Sequence, residues 1–184
     1  MAEARDGSLH RSMQNHFELF GFEPAYALDP ERLERTYRDI QAKVHPDRFA
    51  RAGDAERRAS MQWTTRVNEA YRTLRNPLLR ARYLLELNGV QAALETDTSM
   101  PPGFLMLQME QREGLELAAA ERDAGALHRM RAALRIEKRG LEDALAEQLD
   151  ARRDYGAAAE LVRKLMFLEK LDAEIDAAFE TIEG

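Results

Sequence analysis

The chain has 184 residues, no cysteine and a formal net charge of −6. This length allows one large domain or two small ones, and 45% hydrophobic residues are enough to form a core. The lack of cysteine excludes disulfides, thiolate zinc sites and a cysteine nucleophile. Abundant alanine, leucine, glutamate and arginine, with only six prolines, predict an all-α protein.

Residues 1–14 are predicted to be a flexible tail. They contain Glu3 and Asp6 and no apolar run, so they resemble neither a secretion signal nor a transit peptide. No apolar run in the chain reaches the length that spans a bilayer, so no membrane partner is expected. We expect a cytoplasmic protein.

The first predicted elements form a helical hairpin. A short helix closes at Gly21, and a long helix starts at Asp29-Pro30 and runs to about Val44. A second long helix runs from Gly53 to Asn76. Each long helix has an apolar stripe at helical spacing, so the two are expected to pack antiparallel. The stripes are Leu33, Tyr37, Ile40 and Val44, then Trp63, Val67, Ala70 and Leu74.

The break between these helices has a specific composition, His45-Pro46-Asp47-Arg48. Pro46 lacks a backbone N–H and disfavours helical geometry at His45, so the first helix must end there. The outward face of that helix carries Arg35 and Arg38, with Lys43 to one side. Residues 30–88 contain 13 lysines and arginines against 8 aspartates and glutamates, a net of +5, whereas residues 89–184 have 12 against 20, a net of −8. The first half is therefore suited to an acidic partner.

A further helix ends at Asn88-Gly89, and residues 90–102 have the composition of a linker. We therefore predict one domain over 15–89 and a second over 103–184. The second is predicted to be a three-helix bundle, since three amphipathic segments follow with short connections. These segments are 103–121, 125–149 and 154–182, with core stripes of Phe104, Leu107, Gln111, Leu115 and Ala118, then Leu127, Met130, Leu134, Leu141 and Leu145, then Leu161, Leu165, Leu168, Ile175 and Phe179.

Several apolar residues of the bundle do not fit its core. Leu105, Met106 and Met109 lie off the buried stripe of the first bundle helix, and Phe167 lies off the stripe of the last. Two interpretations are open: these residues pack the two domains together, or they form a partner site rimmed by Glu110, Arg112 and Glu113.

These residues also carry a resemblance. Three blocks, Asn15–Gly21, His45–Phe49 and Val67–Pro77, resemble a J domain in their order and spacing. The second half resembles the HscB family, the J-proteins of bacterial iron–sulfur cluster assembly. That similarity covers about residues 15–182 and includes the segments Leu78–Leu85, Phe104–Met106, Met109-Glu110 and Val162–Leu168.

The resemblance implies a co-chaperone rather than an enzyme. In this family the His-Pro-Asp loop and the basic helix before it dock on an HscA/DnaK-type chaperone and stimulate its ATPase. The matching positions here are His45, Pro46, Asp47, Arg35, Arg38, Lys43 and Arg48. The bundle of such proteins binds the iron–sulfur scaffold protein, IscU, at positions matching Leu105, Met106, Met109, Glu110, Arg112, Glu113 and Phe167. One departure is Met109, where leucine is expected; the change conserves volume and apolarity. The resemblance implies no metal and no other cofactor in the chain itself.

Three alternatives were weighed against this interpretation. An enzyme built on His45 and Asp47 lacks a nucleophile, a phosphate loop and a pocket. A nucleic-acid binder conflicts with the acidic second half, and its basic residues are interleaved with carboxylates such as Glu34 and Asp39. A J-protein that serves a general DnaK-type chaperone with a different client stays open.

Overall fold

In the computed structural model, residues 15–44, 53–90 and 100–183 are described. Every regular element within these ranges is helical, which confirms the predicted all-α fold. No helix within them is long and apolar enough to cross a membrane. The chain divides into two units, Met1–Asn76 and Pro77–Gly184.

The N-terminal unit contains α1 (His16–Leu19), α2 (Pro30–Val44) and α3 (Asp54–Arg75). Asp29 caps the N-terminus of α2 as predicted, because its Oδ1 accepts hydrogen bonds from the backbone N–H groups of Glu31 and Arg32 at 2.9 and 3.1 Å. α1 and α2 both pack against α3. The buried apolar side chains of these helices and of the connection between α1 and α2 form the core of this unit: Phe17, Phe20, Tyr26, Leu33, Val67, Ala70 and Leu74.

The predicted core position of Trp63 is wrong, since its side chain is 43% exposed. The face of α3 that meets α2 starts instead with two hydroxyls. Ser60 Oγ and Thr64 Oγ1 donate to the Val44 carbonyl at 2.6 and 3.2 Å. That carbonyl lies in the last turn of α2, where no intrahelical partner exists, so polar residues belong at this end of the interface. Trp63 lies about 100° away from Thr64 around α3 and is covered on one side by the Arg66 guanidinium, 5.6 Å from its ring.

The C-terminal unit contains α4 (Pro77–Leu87), α5 (Pro102–Ala120), α6 (Ala124–Ala146) and α7 (Tyr155–Glu183). A π-helical segment, Glu147–Arg152, continues α6. α5, α6 and α7 contact one another pairwise, as the predicted three-helix bundle requires. The core that they share contains Leu115, Ala118, Leu127, Leu134, Leu168, Leu171, Ile175 and Ala178.

The division between the units lies earlier than the predicted linker at 90–102. α4, which was expected to close the first domain, belongs to the C-terminal unit because it packs along α7. It buries Ala81, Leu84 and Leu85. The chain leaves α4 through Gly89, whose φ of +76° is readily available only to glycine.

The predicted stripe of α5 is also wrong at one position. Leu107 is 38% exposed, while Gln108 and Gln111 are partly buried. The inward stripe therefore runs through Phe104, Gln108, Gln111, Leu115 and Ala118. Gln111 lies on this stripe as predicted, and its Nε2 donates to the Glu137 carboxylate of α6 at 3.4 Å, so the contact between α5 and α6 is polar at this position.

Candidate binding surfaces

The basic face of α2 comprises Arg35, Arg38 and Lys43, all of which are exposed. Each arginine is paired with a glutamate one turn earlier in the helix. Arg35 Nη1 lies 3.4 Å from Glu31 Oε2, and Arg38 Nη2 lies 3.1 Å from Glu34 Oε1. Such pairs stabilise an exposed helix only slightly, so their main effect is on where the guanidinium groups lie.

Glu34 also has a partner on α3. The Tyr71 hydroxyl donates a hydrogen bond to the Glu34 carboxylate. This bond, followed by that of Arg38, lowers the pKa of Glu34 below its ordinary value. Burial, followed by the same bond, raises the pKa of Tyr71. At neutral pH the carboxylate is therefore ionised and the phenol keeps its proton.

Two stacked tyrosines lie beneath this contact and hold α2 against α3. The ring centroids of Tyr37 and Tyr71 are 3.9 Å apart with an interplanar angle of 15°. The Tyr37 hydroxyl donates to Asn68 Oδ1 at 3.0 Å. Gln41 Nε2 donates to the Tyr37 hydroxyl oxygen and to Asn68 Oδ1. The basic face thus lies on a packed, hydrogen-bonded interface between two helices.

The predicted loop residues His45, Pro46, Asp47 and Arg48 lie outside the described residues. What the structure describes is the chain on either side of them, where α2 ends at Val44 and α3 begins at Asp54. The Val44 carbonyl is bound by Ser60 and Thr64, so the end of α2 is tied to α3.

The second candidate surface is the outward side of α5. Leu105, Met106 and Met109 are 46%, 64% and 63% exposed, in agreement with the prediction that they lie outside the core. Glu110 and Glu113 are exposed beside them. Large apolar side chains clustered at this exposure are typical of surfaces that bind a partner, and methionine adapts readily to a partner's shape.

Phe167 occupies a different position from these three residues. It is half-buried and packs against the core of the bundle. Its ring meets that of Phe104 edge-on at 5.7 Å, and the Arg112 guanidinium lies 5.6 Å from it. Arg112 also approaches Glu174 of α7 at 3.9 Å. The structure therefore brings Arg112 and Phe167 together at the edge of the apolar surface, where they join α5 to α7.

The sequence interpretation overlooked three residues of these surfaces. Phe104 was assigned to the core, yet it supports Phe167 at the edge of the surface, with Lys164 Nζ 5.8 Å from its ring. In the sequence, Tyr71 contributed only to the family resemblance, as part of the block Val67–Pro77. Glu34 was interpreted only as a negative charge among the basic residues. The spacing of Glu34 and Arg38 is a readable signal for an ion pair, whereas the contact of Glu34 with Tyr71 joins residues 37 positions apart.

No group of three or more histidine, aspartate or glutamate side chains that could hold a metal ion occurs among the residues that the structure describes. The features that these residues present are surfaces suited to protein partners. One is basic and the other is apolar.

Comparison with known proteins shows the family to which the chain belongs. Residues 100–176 match a family model described as the HSCB C-terminal oligomerisation domain. A co-chaperone protein HscB homologue of Burkholderia cenocepacia is 53% identical over 169 residues, which cover 92% of this chain and 96% of the relative. The chain belongs to the HscB family. The predicted resemblance to J-domain co-chaperones of iron–sulfur cluster assembly is thereby confirmed.

Solved structures of the HscB family have the same fold. The chaperone HscB from Vibrio cholerae superposes with a TM-score of 0.79 at 37% identity, covering 91% of this chain and 99% of that one. Human co-chaperone protein HscB gives a TM-score of 0.84 at 27% identity, covering 90% and 82%. The fold is therefore that of an all-α J domain followed by a C-terminal helical domain, and the protein is a co-chaperone.

Proposed function

We propose that this protein stimulates the ATPase of an HscA/DnaK-type chaperone and delivers the iron–sulfur scaffold protein IscU to it. The observation that carries the proposal is the exposure of Leu105, Met106 and Met109 on α5 in a chain that belongs to the HscB family. A co-chaperone that delivers a client needs a surface for the client, and this one is apolar and accessible. We place this activity in the cytoplasm.

The two partners are assigned to different units. The basic face of α2, with His45, Pro46, Asp47 and Arg48, binds the chaperone. The surface around Leu105, Met106 and Met109, with Glu110, Arg112, Glu113 and Phe167, binds the scaffold. One protein bound to both raises the local concentration of scaffold at the chaperone without any new contact between those two.

The test is steady-state ATP hydrolysis by the HscA-type chaperone from the same organism. This protein and the scaffold are added singly and together. We expect stimulation by the pair to exceed the sum of the two single effects. If adding the scaffold does not change the stimulated rate of ATP hydrolysis, delivery of the scaffold is contradicted. The result would point to a general J-protein with another client.

The variant His45→Gln tests the assignment of the loop. Stimulation is expected to be lost while binding of the scaffold is kept, because the loop and the apolar surface belong to different units. Circular dichroism and thermal unfolding check that the variant folds. Unchanged stimulation by a folded His45→Gln protein would overturn the loop assignment and leave the scaffold surface unaffected.

A further inference from the structure

Arg35 and Arg38 lie one turn apart on α2, yet they are held differently. Arg35 pairs with Glu31, whose side chain is 84% exposed. Arg38 pairs with Glu34, whose side chain is only 37% exposed and is bound by Tyr71 of α3. The first pair is local to one helix, while the second is fixed by the neighbouring helix.

One oxygen of the Glu34 carboxylate contacts α2 and the other contacts α3. Oε1 accepts from Arg38, with Nε and Nη2 each 3.1 Å away. Oε2 accepts from the Tyr71 hydroxyl. Tyr71 is in turn stacked on Tyr37, and the Arg75 guanidinium lies 5.7 Å from its ring. A chain of contacts therefore runs from the packed interface to the exposed guanidinium of Arg38.

This geometry leaves part of Arg38 available to a partner. A guanidinium has five N–H donors, and Glu34 accepts a hydrogen bond from Nε while Nη2 lies beside the same oxygen. The remaining donors belong to a side chain that is 72% exposed. An arginine already held in one orientation loses less conformational entropy when it binds than a free one does.

We propose that Glu34 and Tyr71 are positioning residues, which orient Arg38 so that its free donors meet a carboxylate of the chaperone. The proposal rests on the proposed function, in which the basic face of α2 binds the chaperone. It assigns to Arg38 a preorganised contact that Arg35 does not have.

A double-mutant cycle between Tyr71→Phe and Arg38→Ala tests the proposal. Tyr71→Phe removes the hydroxyl and keeps the ring that stacks on Tyr37. The quantity measured is the concentration of this protein that gives half-maximal stimulation of the chaperone ATPase. We expect Arg38→Ala to raise it about three- to fivefold and Tyr71→Phe about twofold, the size of exposed charge contacts.

The decisive result concerns the double variant. If Tyr71 acts through Arg38, Tyr71→Phe has no further effect once Arg38 is alanine, so the double variant matches Arg38→Ala alone. If Tyr71 only stabilises the fold, the two fold-changes multiply, and the proposal is overturned. Glu34→Gln, which keeps the size of the side chain, is expected to show the same coupling to Arg38.

Tyr37→Phe is the matched control. It removes the other hydroxyl of the stacked pair, which donates to Asn68 rather than to the carboxylate beside Arg38. No coupling with Arg38→Ala is expected. An effect of Arg38→Ala without one of Tyr71→Phe would refute the positioning role and leave the proposed function standing. No effect of either Arg35→Ala or Arg38→Ala would refute both the positioning role and the assignment of the basic face.

Discussion

The two candidate surfaces differ in what holds their side chains in place. On α2, charged groups are fixed by partners, as Arg38 is by Glu34 and Tyr71. On α5, Met106 and Met109 are flexible apolar side chains that are more than 60% exposed. A preorganised polar surface favours orientation and a fast encounter, whereas an adaptable apolar surface gains affinity by burial. The two proposed sites would therefore recognise their partners in different ways, one in each unit.

The largest effect is expected from removing the apolar surface. The triple variant Leu105→Ala, Met106→Ala and Met109→Ala should weaken scaffold binding about 100-fold, or about 3 kcal/mol, because it removes the apolar area that a partner would bury. Affinity for the chaperone should not change. Isothermal titration calorimetry with each partner measures both.

The control for this variant is Ile136→Ala. Ile136 is 72% exposed on α6 but lies outside the candidate surface. Its replacement should leave scaffold binding unchanged. Equal losses in the triple variant and the control would show that the effect is not local to α5. Unfolding of the triple variant would show that the three residues are packing residues after all.

A second prediction separates the edge of this surface from its centre. Phe167→Ala should lower the free energy of unfolding by about 1–3 kcal/mol, because Phe167 is half-buried and packs on Phe104 and the core. Met106→Ala should change it by less than about 0.5 kcal/mol, since Met106 is 64% exposed. Urea unfolding curves measure the two values. Equal changes in the free energy of unfolding would mean that Phe167 stabilises the fold no more than Met106 does.

Part of this structure could be predicted from the sequence alone. Local signals were sufficient for the helix ends, because Asp29 is an N-cap and Pro46 and Pro77 restrict the backbone before them. The outward position of Leu105, Met106 and Met109 also followed from helical periodicity. In each case the relevant contacts lie within a few residues of one another in the chain.

The errors came from the assumption that an apolar residue at helical spacing is buried. Trp63 and Leu107 are apolar and exposed, while the polar residues Ser60 and Gln108 occupy fully or partly buried positions near them. Periodicity cannot show that a helix end with free carbonyls requires a hydroxyl. Nor could it show that α4 packs on α7, since an amphipathic pattern does not identify the partner that covers it.

A third prediction uses salt to contrast the surfaces. Raising the ionic strength from about 0.05 to 0.5 M shortens the Debye length from about 14 to 4 Å. Chaperone binding through Arg35, Arg38 and Lys43 should weaken about fivefold, mainly through a slower association rate. Scaffold binding should change less. Surface plasmon resonance gives the rates, and parallel salt dependences would contradict the contrast.

The smallest effects concern one carboxylate in each unit, with opposite signs. Hydrogen bonds from Tyr71 and Arg38 lower the pKa of Glu34, so its ionised form stabilises the folded state above its ordinary pKa, and this contribution is lost as the pH falls through the lowered value. Burial raises the pKa of Glu142, although Lys138 and Arg80 oppose the rise. Its protonated form is therefore favoured by folding, and stability is lost as the pH rises through the raised value.

The two glutamine variants test these signs. At pH 7 Glu34→Gln should slightly destabilise the N-terminal unit, and Glu142→Gln should stabilise the C-terminal unit by less than about 0.5 kcal/mol. Near pH 3, about a unit below the ordinary glutamate pKa, both differences should shrink. Thermal unfolding at the two pH values gives the signs, and destabilisation by Glu142→Gln at pH 7 would show that its attraction to Lys138 and Arg80 outweighs its burial.

The membership of α4 in the C-terminal unit has a consequence for dissecting the molecule. A fragment that ends at Gly89 carries the buried residues Ala81, Leu84 and Leu85 of α4 without α7, the helix on which α4 packs in the intact chain. Such a fragment exposes a new apolar strip and is prone to self-association. A fragment that ends at Asn76 avoids this, and the complementary piece must start at Pro77 to keep α7 covered. Cutting the chain at the predicted linker would therefore expose apolar side chains of α4 that are buried in the whole protein.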